Sequence, residues 1–169
     1  MAKIETLVAD LLAAAGGEIT GRVRMQKMFY LLQQLGLTSD LHFRFHHYGP
    51  YSKNLDEAID GAKALYGVQE VISYRLTDGA PFSVFKGPTR VLDKVGEMQI
   101  DRARELSKRL LAQSSTVLEL AATIHWIEHV DKIVDWRPEL KRRKGQKTEG
   151  GRAEKALELL KDLGLEAAV

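Results

Sequence analysis

The residues best suited to chemistry are the two histidines and the glutamate of the segment HWIEH: His125, Glu128 and His129. The spacing H-x-x-E-H is that of inverted zincins, in which the histidines bind zinc and the glutamate activates a water. Such a site needs another carboxylate ligand, and no downstream carboxylate stands at a telling spacing. Leu118 and Ala122 lie on the same helix face as the histidines, which is typical of packing with a polar edge. A zinc hydrolase is therefore the minority interpretation, and we predict no metal site.

A second group of candidates lies in the segment FRFHHYGPYSKNL, residues 43–55. Adjacent residues of a strand point to opposite faces, so His46 and His47 are not expected to act on one ligand. The sequence contains no glycine-rich phosphate or dinucleotide loop and no G-x-S-x-G nucleophile motif. It also contains no cysteine, which excludes thiolate nucleophiles and disulfides. We therefore predict a protein without catalytic residues or a cofactor.

The segment RPELKRRKGQK, residues 137–147, carries a cluster of cations with Glu139 as its one acid. Such a cluster can follow the phosphates of a nucleic acid, and each contact adds salt-dependent affinity. No aromatic residue interleaves with the cations, so base stacking is not indicated, and a solvated or protein-binding face is the alternative. The cations are Arg137, Lys141, Arg142, Arg143, Lys144 and Lys147.

The composition is that of an ordinary globular protein, with 169 residues of which 44% are hydrophobic and 28% are charged. This length predicts one domain, residues 1–169, divided into an N-terminal half 1–89 and a C-terminal half 90–169. The net charge of +2 is too small to indicate nucleic acid by itself. No apolar run is long enough for a membrane helix and no secretory signal is present, so a cytoplasmic protein is expected.

Two helices are predicted in the first forty residues. An apolar stripe from Ile4 to Ala15 recurs at helical spacing and ends at Gly16, and Thr20 is the expected N-cap of the second helix. That helix begins with three cations, which oppose the helix dipole at this position. They are therefore solvated or paired with a neighbouring carboxylate, or they form a surface that contacts a partner. The three cations are Arg22, Arg24 and Lys27.

The next predicted elements are a strand, a corner and a helix. The strand LHFRFHHY, residues 41–48, alternates apolar and polar side chains, and Ser52 is a good N-cap for the helix that follows. Gly49 and Pro50 are predicted to form the sharp strand-to-helix junction, with a positive or restricted φ at Gly49. Tyr48 and Tyr51 are expected to brace this corner.

The rest of the chain predicts a hairpin followed by helices. Asp78-Gly79 is a hairpin signal between two strand-like runs. Helices are predicted from about residue 90 to 113, from 116 to 130, from Pro138 onward, and from 151 to 163. The fold class is therefore mainly α with a small antiparallel β-sheet, an α+β protein. Its N-terminal half partly resembles a winged helix, and its C-terminal half is helical.

Several segments in order resemble the Panacea-domain superfamily, which comprises the SocA-like antitoxins and many uncharacterised bacterial and phage relatives. They are RMQKMFYLLQQLG with FHHYGPYSKNLDEAI, and, far downstream, LELAATIHWI with AEKALELLKDLGL. The resemblance spans most of the chain and rests on the Gln-Lys helix, here Arg24 to Leu31, and on the corner Tyr48-Gly49-Pro50. The basic segment KRRKGQK departs from the pattern, in which a shorter link is expected.

The resemblance implies a binding module of antitoxin type, which neutralises a partner toxin by direct contact and performs no catalysis. One characterised type delivers its toxin to a protease. We expect the partner-binding residues to be Arg22, Arg24, Lys27, Tyr48 and Tyr51. The alternative is a nucleic-acid-binding regulator that uses the second helix and the basic segment 137–147. Association of the chain with itself is left open.

Overall fold

The computed structural model describes residues 3–166. Seven α-helices are present there: α1 (Ile4–Ala14), α2 (Arg22–Gln34), α3 (Lys53–Leu65), α4 (Ile100–Leu111), α5 (Ser115–His129), α6 (Trp136–Lys144) and α7 (Arg152–Leu163). The strands are short: β1 (Glu18–Thr20), β2 (Arg44–His46), β3 (Gly49–Tyr51), β4 (Gln69–Tyr74), β5 (Pro81–Lys86), β6 (Lys94–Val95) and β7 (Met98–Gln99). All strand pairs are antiparallel. The predicted class, mainly α with small antiparallel sheets, is confirmed.

The N-terminal half has the element order of a winged helix. Strand β1 lies between α1 and α2 in the chain, and strands β4 and β5 follow α3. These three strands form one sheet with the order β1-β5-β4. The β2–β3 hairpin is inserted between α2 and α3. Strand β1 was not predicted, because three residues are too few to show an alternating pattern and its partner β5 lies far along the chain. Thr20 therefore ends β1, and the N-cap of α2 is Gly21 with a φ of 95°.

Helix α5 lies at the centre of the C-terminal half. Its side chains from Val117 to His125 are all buried, as is Ile127, because α2, α6, α7 and the β2–β3 hairpin pack around it. A helix that is buried on all sides is expected to be apolar around its whole circumference. The Ser114 hydroxyl accepts a hydrogen bond from the Val117 amide, 3.1 Å away, and so fixes where this helix begins.

The segment before α4 corrects the prediction of a helix from about residue 90. Helix α4 begins only at Ile100, and the tight β6–β7 pair precedes it. The pair turns at Gly96, whose φ of 58° a helix does not use. A Cβ atom at this position would lie 3.0 Å from the Cδ2 atom of Leu7, so the turn also packs closely on α1. No helix within residues 3–166 is long and apolar enough to cross a membrane.

Candidate partner-binding site

The β2–β3 hairpin turns two residues earlier than the sequence suggests. The chain reverses at His47 and Tyr48, so that Gly49 and Pro50 belong to β3 and pair with His46 and Phe45. A second change of direction occurs at Ser52, whose hydroxyl accepts from the Leu55 amide at 3.3 Å and caps α3. The predicted single corner at Gly-Pro is therefore wrong, because the backbone pairing extends past Gly49, where φ is 92°.

Two adjacent residues of α2 hold this hairpin from below. The side-chain oxygen of Gln26 accepts from the Ser52 amide at 2.8 Å, and its nitrogen donates to the Ser52 carbonyl at 2.9 Å. The ammonium of Lys27 donates to the Pro50 carbonyl at 2.6 Å. Both side chains are almost completely buried. The Gln-Lys pair and the Tyr-Gly-Pro segment, which are separate motifs in the sequence, therefore form one joint.

Lys27 was predicted to contact a partner, but it is buried in the structure. Only 1% of the residue is exposed. Burial, with a smaller contribution from the charge of Lys144, lowers the pKa of Lys27 to about 8, and the negative charge of Glu119 opposes this shift. The role of Lys27 is thus to satisfy the backbone of β3.

Glu119 of α5 is a buried carboxylate that neutralises cations near the hairpin. It forms ion pairs with Lys144 at 2.9 Å and with Lys147 at 3.0 Å. Lys144 also donates to the His47 carbonyl at 3.1 Å, in the turn of the hairpin. Of the cations that were predicted to bind nucleic acid or a partner, Lys144 therefore holds the turn of the hairpin, and Lys147 is paired with Glu119.

Three of the four remaining cations of segment 137–147 are also engaged within the molecule. The segment is not a loop, because it forms most of α6 and the short 3-10 turn Gly145–Thr148. Arg142 pairs with Glu139, while Arg143 pairs with both Glu139 and Asp131 and covers the Phe45 ring. Arg137 stacks on its neighbour Trp136, with 4.4 Å between the guanidinium carbon and the ring centroid. Lys141 is exposed on the same helix.

The two arginines at the start of α2 have internal partners, which was the alternative to a contact surface. Arg22 pairs with Glu70 at 2.9 Å and lies 3.5 Å from Asp56. Burial raises the pKa of Glu70, but hydrogen bonds from Ser83, Lys63 and Arg22 outweigh it and lower this pKa to about 2. Arg24 points to another side and donates to the carbonyls of Thr20 and Gln113.

A cleft of about 320 Å³ opens between α2 and the β2–β3 hairpin, and it is named the hairpin cleft below. Of the five predicted partner-binding residues, four line it and Arg24 does not. His46 and His47 both reach it, because the strand ends at His46 and His47 already belongs to the turn. The lining residues are Arg22, Val23, Gln26, Lys27, His46, His47, Tyr48, Tyr51 and Asp56.

The two tyrosines play different parts in the hairpin cleft. Tyr51 donates to the Asp56 carboxylate at 2.5 Å, and this hydrogen bond, followed by burial, raises its pKa to about 12. Tyr48 stands at the mouth of the cleft with 51% of its surface exposed. The ammonium of Lys147 lies 4.9 Å from the centre of the Tyr48 ring. Tyr48 is therefore an exposed aromatic side chain on a firmly held backbone.

The H-x-x-E-H pattern lies on α5, where His125 is buried against α2. Its Nδ1 atom is 2.7 Å from the Tyr30 hydroxyl, and its ring stacks on His129 at 4.2 Å with an angle of 23°. Burial, and secondly the charge of His129, lower the pKa of His125 to about 4. Within residues 3–166, no group of three or more His, Cys, Asp or Glu side chains is placed to hold a metal ion.

Two buried polar residues near the hairpin, Gln26 of the joint and Glu119 of α5, were missed as site residues. Gln26 lies in the run Met25–Leu32, which is otherwise apolar apart from Lys27, and Glu119 lies between Leu118 and Leu120. A polar residue inside an apolar helical run is expected to have a buried hydrogen-bonding partner. That signal was present in the sequence, although it does not identify the partner.

Comparison with known proteins finds relatives but no family. No protein-family model matches the chain. The chain is 29% identical over 132 residues to a DNA ADP-ribosyl glycohydrolase of Thermus aquaticus, a match that covers 74% of this chain and 35% of that protein. It is 31% identical over 111 residues to the uncharacterized protein YwgA of Bacillus subtilis, covering 60% of this chain and 66% of YwgA. The chain thus spans about a third of the first relative and just under two thirds of the second.

Proposed function

We propose that this chain is a protein-interaction domain of antitoxin type, which binds and neutralises a toxin-like partner protein in the cytoplasm through the hairpin cleft. The observation that carries the proposal is the joint made by Gln26 and Lys27 with the backbone of residues 50–52. It fixes the backbone that follows Tyr48, whose half-exposed ring lies beside the cleft. Exposed tyrosines on an ordered backbone are typical centres of binding energy, since little conformational freedom is lost on association.

The polar groups of the hairpin cleft support binding rather than reaction. The Lys27 amine donates to a carbonyl, and the Tyr51 hydroxyl donates to Asp56. Both groups therefore already serve to hold the hairpin and the start of α3 in place. We therefore propose that the chain performs no catalysis.

The two relatives support the view that this fold is a module. A similar segment makes up most of YwgA and about a third of the Thermus protein. The name of the Thermus protein describes a glycohydrolase, and we propose that the part resembling this chain is not the part that carries that reaction. Incubation of this chain with ADP-ribosylated DNA should release no ADP-ribose in a chromatographic assay. Release that scales with the amount of protein would contradict the proposal.

The partner test uses the product of a reading frame adjacent to this gene. Expressed alone, that product should be toxic, and co-expression of this chain should restore growth. Tyr48→Ala should lose the rescue and the binding, whereas Tyr74→Ala should keep both, because Tyr74 is also exposed but lies on strand β4. Both variants should keep the wild-type circular dichroism spectrum. Full rescue by Tyr48→Ala would show that the hairpin cleft is not the binding site.

The second candidate function is a nucleic-acid-binding regulator. It is favoured by the winged-helix order of the N-terminal half and by the relative whose name refers to DNA. It is weakened by the internal pairing of Arg22 on α2 and of Arg142, Arg143 and Lys144 on α6. Salt-sensitive retention of a labelled DNA duplex, lost when Lys141 is changed to Glu, would favour this function over protein binding.

A further inference from the structure

A second cleft, of about 660 Å³, lies on the outer side of the β2–β3 hairpin and has a cationic lining. Among the described residues that line it, none is an aspartate or a glutamate. We call it the cationic groove. It is lined by His42, Arg44, His46, Tyr51, Lys53 and Asn54.

The alternation of residues 41–46 forces the basic side chains outward. Phe43 packs against Tyr30 with ring centroids 5.2 Å apart, and Phe45 packs against Trp126 at 6.1 Å. Because successive side chains of an extended chain point to opposite faces, His42, Arg44 and His46 must face solvent. The burial of the aromatic residues thus fixes a row of three basic side chains on the surface.

The cations of the groove are not neutralised as those of α2 and α6 are. Arg44 forms no ion pair with any residue in 3–166, and Lys53 has only a long contact of 3.9 Å with the exposed Glu57. Lys53 and Asn54 are also the first residues of α3, where the helix dipole adds positive potential. An anionic group in the groove would therefore meet positive potential from both β2 and α3.

The cationic groove and the hairpin cleft share two lining residues, His46 and Tyr51. The two cavities therefore lie next to each other at the β2–β3 hairpin. A partner seated on Tyr48 can therefore extend across the hairpin into the groove.

The surroundings favour a polypeptide over a nucleic acid. The Tyr51 ring lies 4.8 Å from the His46 ring and its hydroxyl is bound to Asp56, so less of the ring is open to base stacking. Further along α3, the exposed Glu57 and Asp60 would repel a phosphate backbone that continues past the groove. A short acidic segment can place its carboxylates in the groove and end before these acids.

We infer that the partner of the proposed function presents an acidic polypeptide segment, and that this segment binds in the cationic groove beside the hairpin cleft. The inference rests on the proposed function for the identity of the partner as a protein. Its new content is the chemistry of the segment and the place where it binds. Arg44 and Lys53, the arginine and the lysine of the groove, would contact the carboxylates directly.

The first experiment measures binding of a labelled oligoglutamate peptide by fluorescence anisotropy, with an oligoglutamine peptide and an oligothymidine as comparisons. Wild type should bind oligoglutamate in a salt-sensitive manner, and Arg44→Glu with Lys53→Glu should weaken binding by about tenfold or more. The control is Arg75→Glu with Lys86→Glu, which changes the net charge equally on the β4–β5 hairpin and should bind as wild type does. Equal binding by reversal and control, absence of binding by wild type, or a loss confined to oligothymidine would each overturn the inference.

The second experiment separates this inference from the proposed function. The same double reversal and Tyr48→Ala are tested for binding to the toxic product of the adjacent reading frame. We expect both variants to weaken binding, and the double reversal should act mainly on the association rate. If only Tyr48→Ala weakens binding, the proposed function stands and the inference of an acidic segment is wrong. If the double reversal lowers oligoglutamate binding but neither variant affects the product, the groove stands and the proposed partner site is wrong.

Discussion

The two hairpins of the N-terminal half differ in what stabilises them: strand pairing in one, and side chains from other elements in the other. The β4–β5 hairpin has six residue pairs in register and carries exposed side chains at its tip. The β2–β3 hairpin has three pairs, and its residues Gly49 and Pro50 are buried. A two-stranded hairpin of three pairs is not stable by itself. The short hairpin therefore depends on side chains from α2, α5 and α6, and we expect changes at these contacts to affect it far more than equivalent changes affect the long one.

The largest difference in stability is expected between alanine substitutions at two glycines of positive φ, Gly49 and Gly79. A Cβ atom at Gly49 would lie 2.9 Å from the Thr123 hydroxyl, whereas a Cβ atom at Gly79 would meet nothing within 4 Å. Gly79→Ala should therefore cost only the left-handed backbone strain, about 1–2 kcal/mol. Gly49→Ala adds displacement of a buried side chain and should cost about 2–4 kcal/mol in free energy of unfolding. Urea unfolding of both variants measures the difference, and equal losses would contradict the tight contact with α5.

The next effect concerns Gln26, whose side chain satisfies both backbone groups of Ser52. Gln26→Leu leaves the buried N–H of Ser52 without a partner, and it leaves the Ser52 carbonyl with only the Asp56 amide at 3.4 Å. We therefore expect a loss of about 2 kcal/mol. The control on the long hairpin is Gln69→Leu, which changes an exposed residue of β4 and should stay within about 0.5 kcal/mol of wild type. If Gln26→Leu unfolds at the wild-type urea midpoint, the joint does not hold the hairpin.

A smaller effect is expected from the titration of Lys27. Its folded pKa of about 8 lies below that of an unfolded lysine, about 10.4. Between these values the unfolded chain binds more protons, so stability should rise with pH, by about 1 kcal/mol from pH 8 to 9. Lys27→Met should abolish this rise, while Lys86→Met on β5 should keep it. A wild type whose unfolding free energy falls over this range would contradict a buried, destabilised charge.

The same contrast explains what could be predicted from the sequence. The β4–β5 hairpin was predicted with its turn at Asp78-Gly79, because its specification is local: the Asp78 carboxylate accepts from the Ala80 amide at 2.9 Å. The β2–β3 turn was misplaced by two residues, because its pairing is decided by Lys27 and Lys144, which contact it from distant parts of the chain. Local signals identify local structure, and they do not reveal which side chains will satisfy a backbone.

The candidate site shows the same limit. Four of five predicted partner-binding residues do line the hairpin cleft, and the fifth, Arg24, lies elsewhere. The prediction treated all cations at the start of α2 as equivalent, since a helix pattern alone does not show that Lys27 faces inward. The cations of the cationic groove, Arg44 and Lys53, were not singled out, because the basic segment 137–147 has the higher charge density. Charge density in a sequence does not distinguish cations that have internal partners from cations that are free.

The smallest effect on stability is expected from substitutions at the tips of the two hairpins. Leu76 stands at the end of the long hairpin with its side chain fully exposed, so Leu76→Ser removes no packing and should change the free energy of unfolding by less than about 0.5 kcal/mol. Tyr48 stands at the end of the short hairpin and is half buried under the ammonium of Lys147. An exposed cation–π contact contributes about 0.5–1 kcal/mol, so Tyr48→Ser should lose about 1 kcal/mol. Thermal melts of the two variants under one condition make the comparison. Equal midpoints would mean that the Tyr48 side chain contributes as little to stability as the Leu76 side chain. In that case only the backbone at residues 49–52 would be held in place.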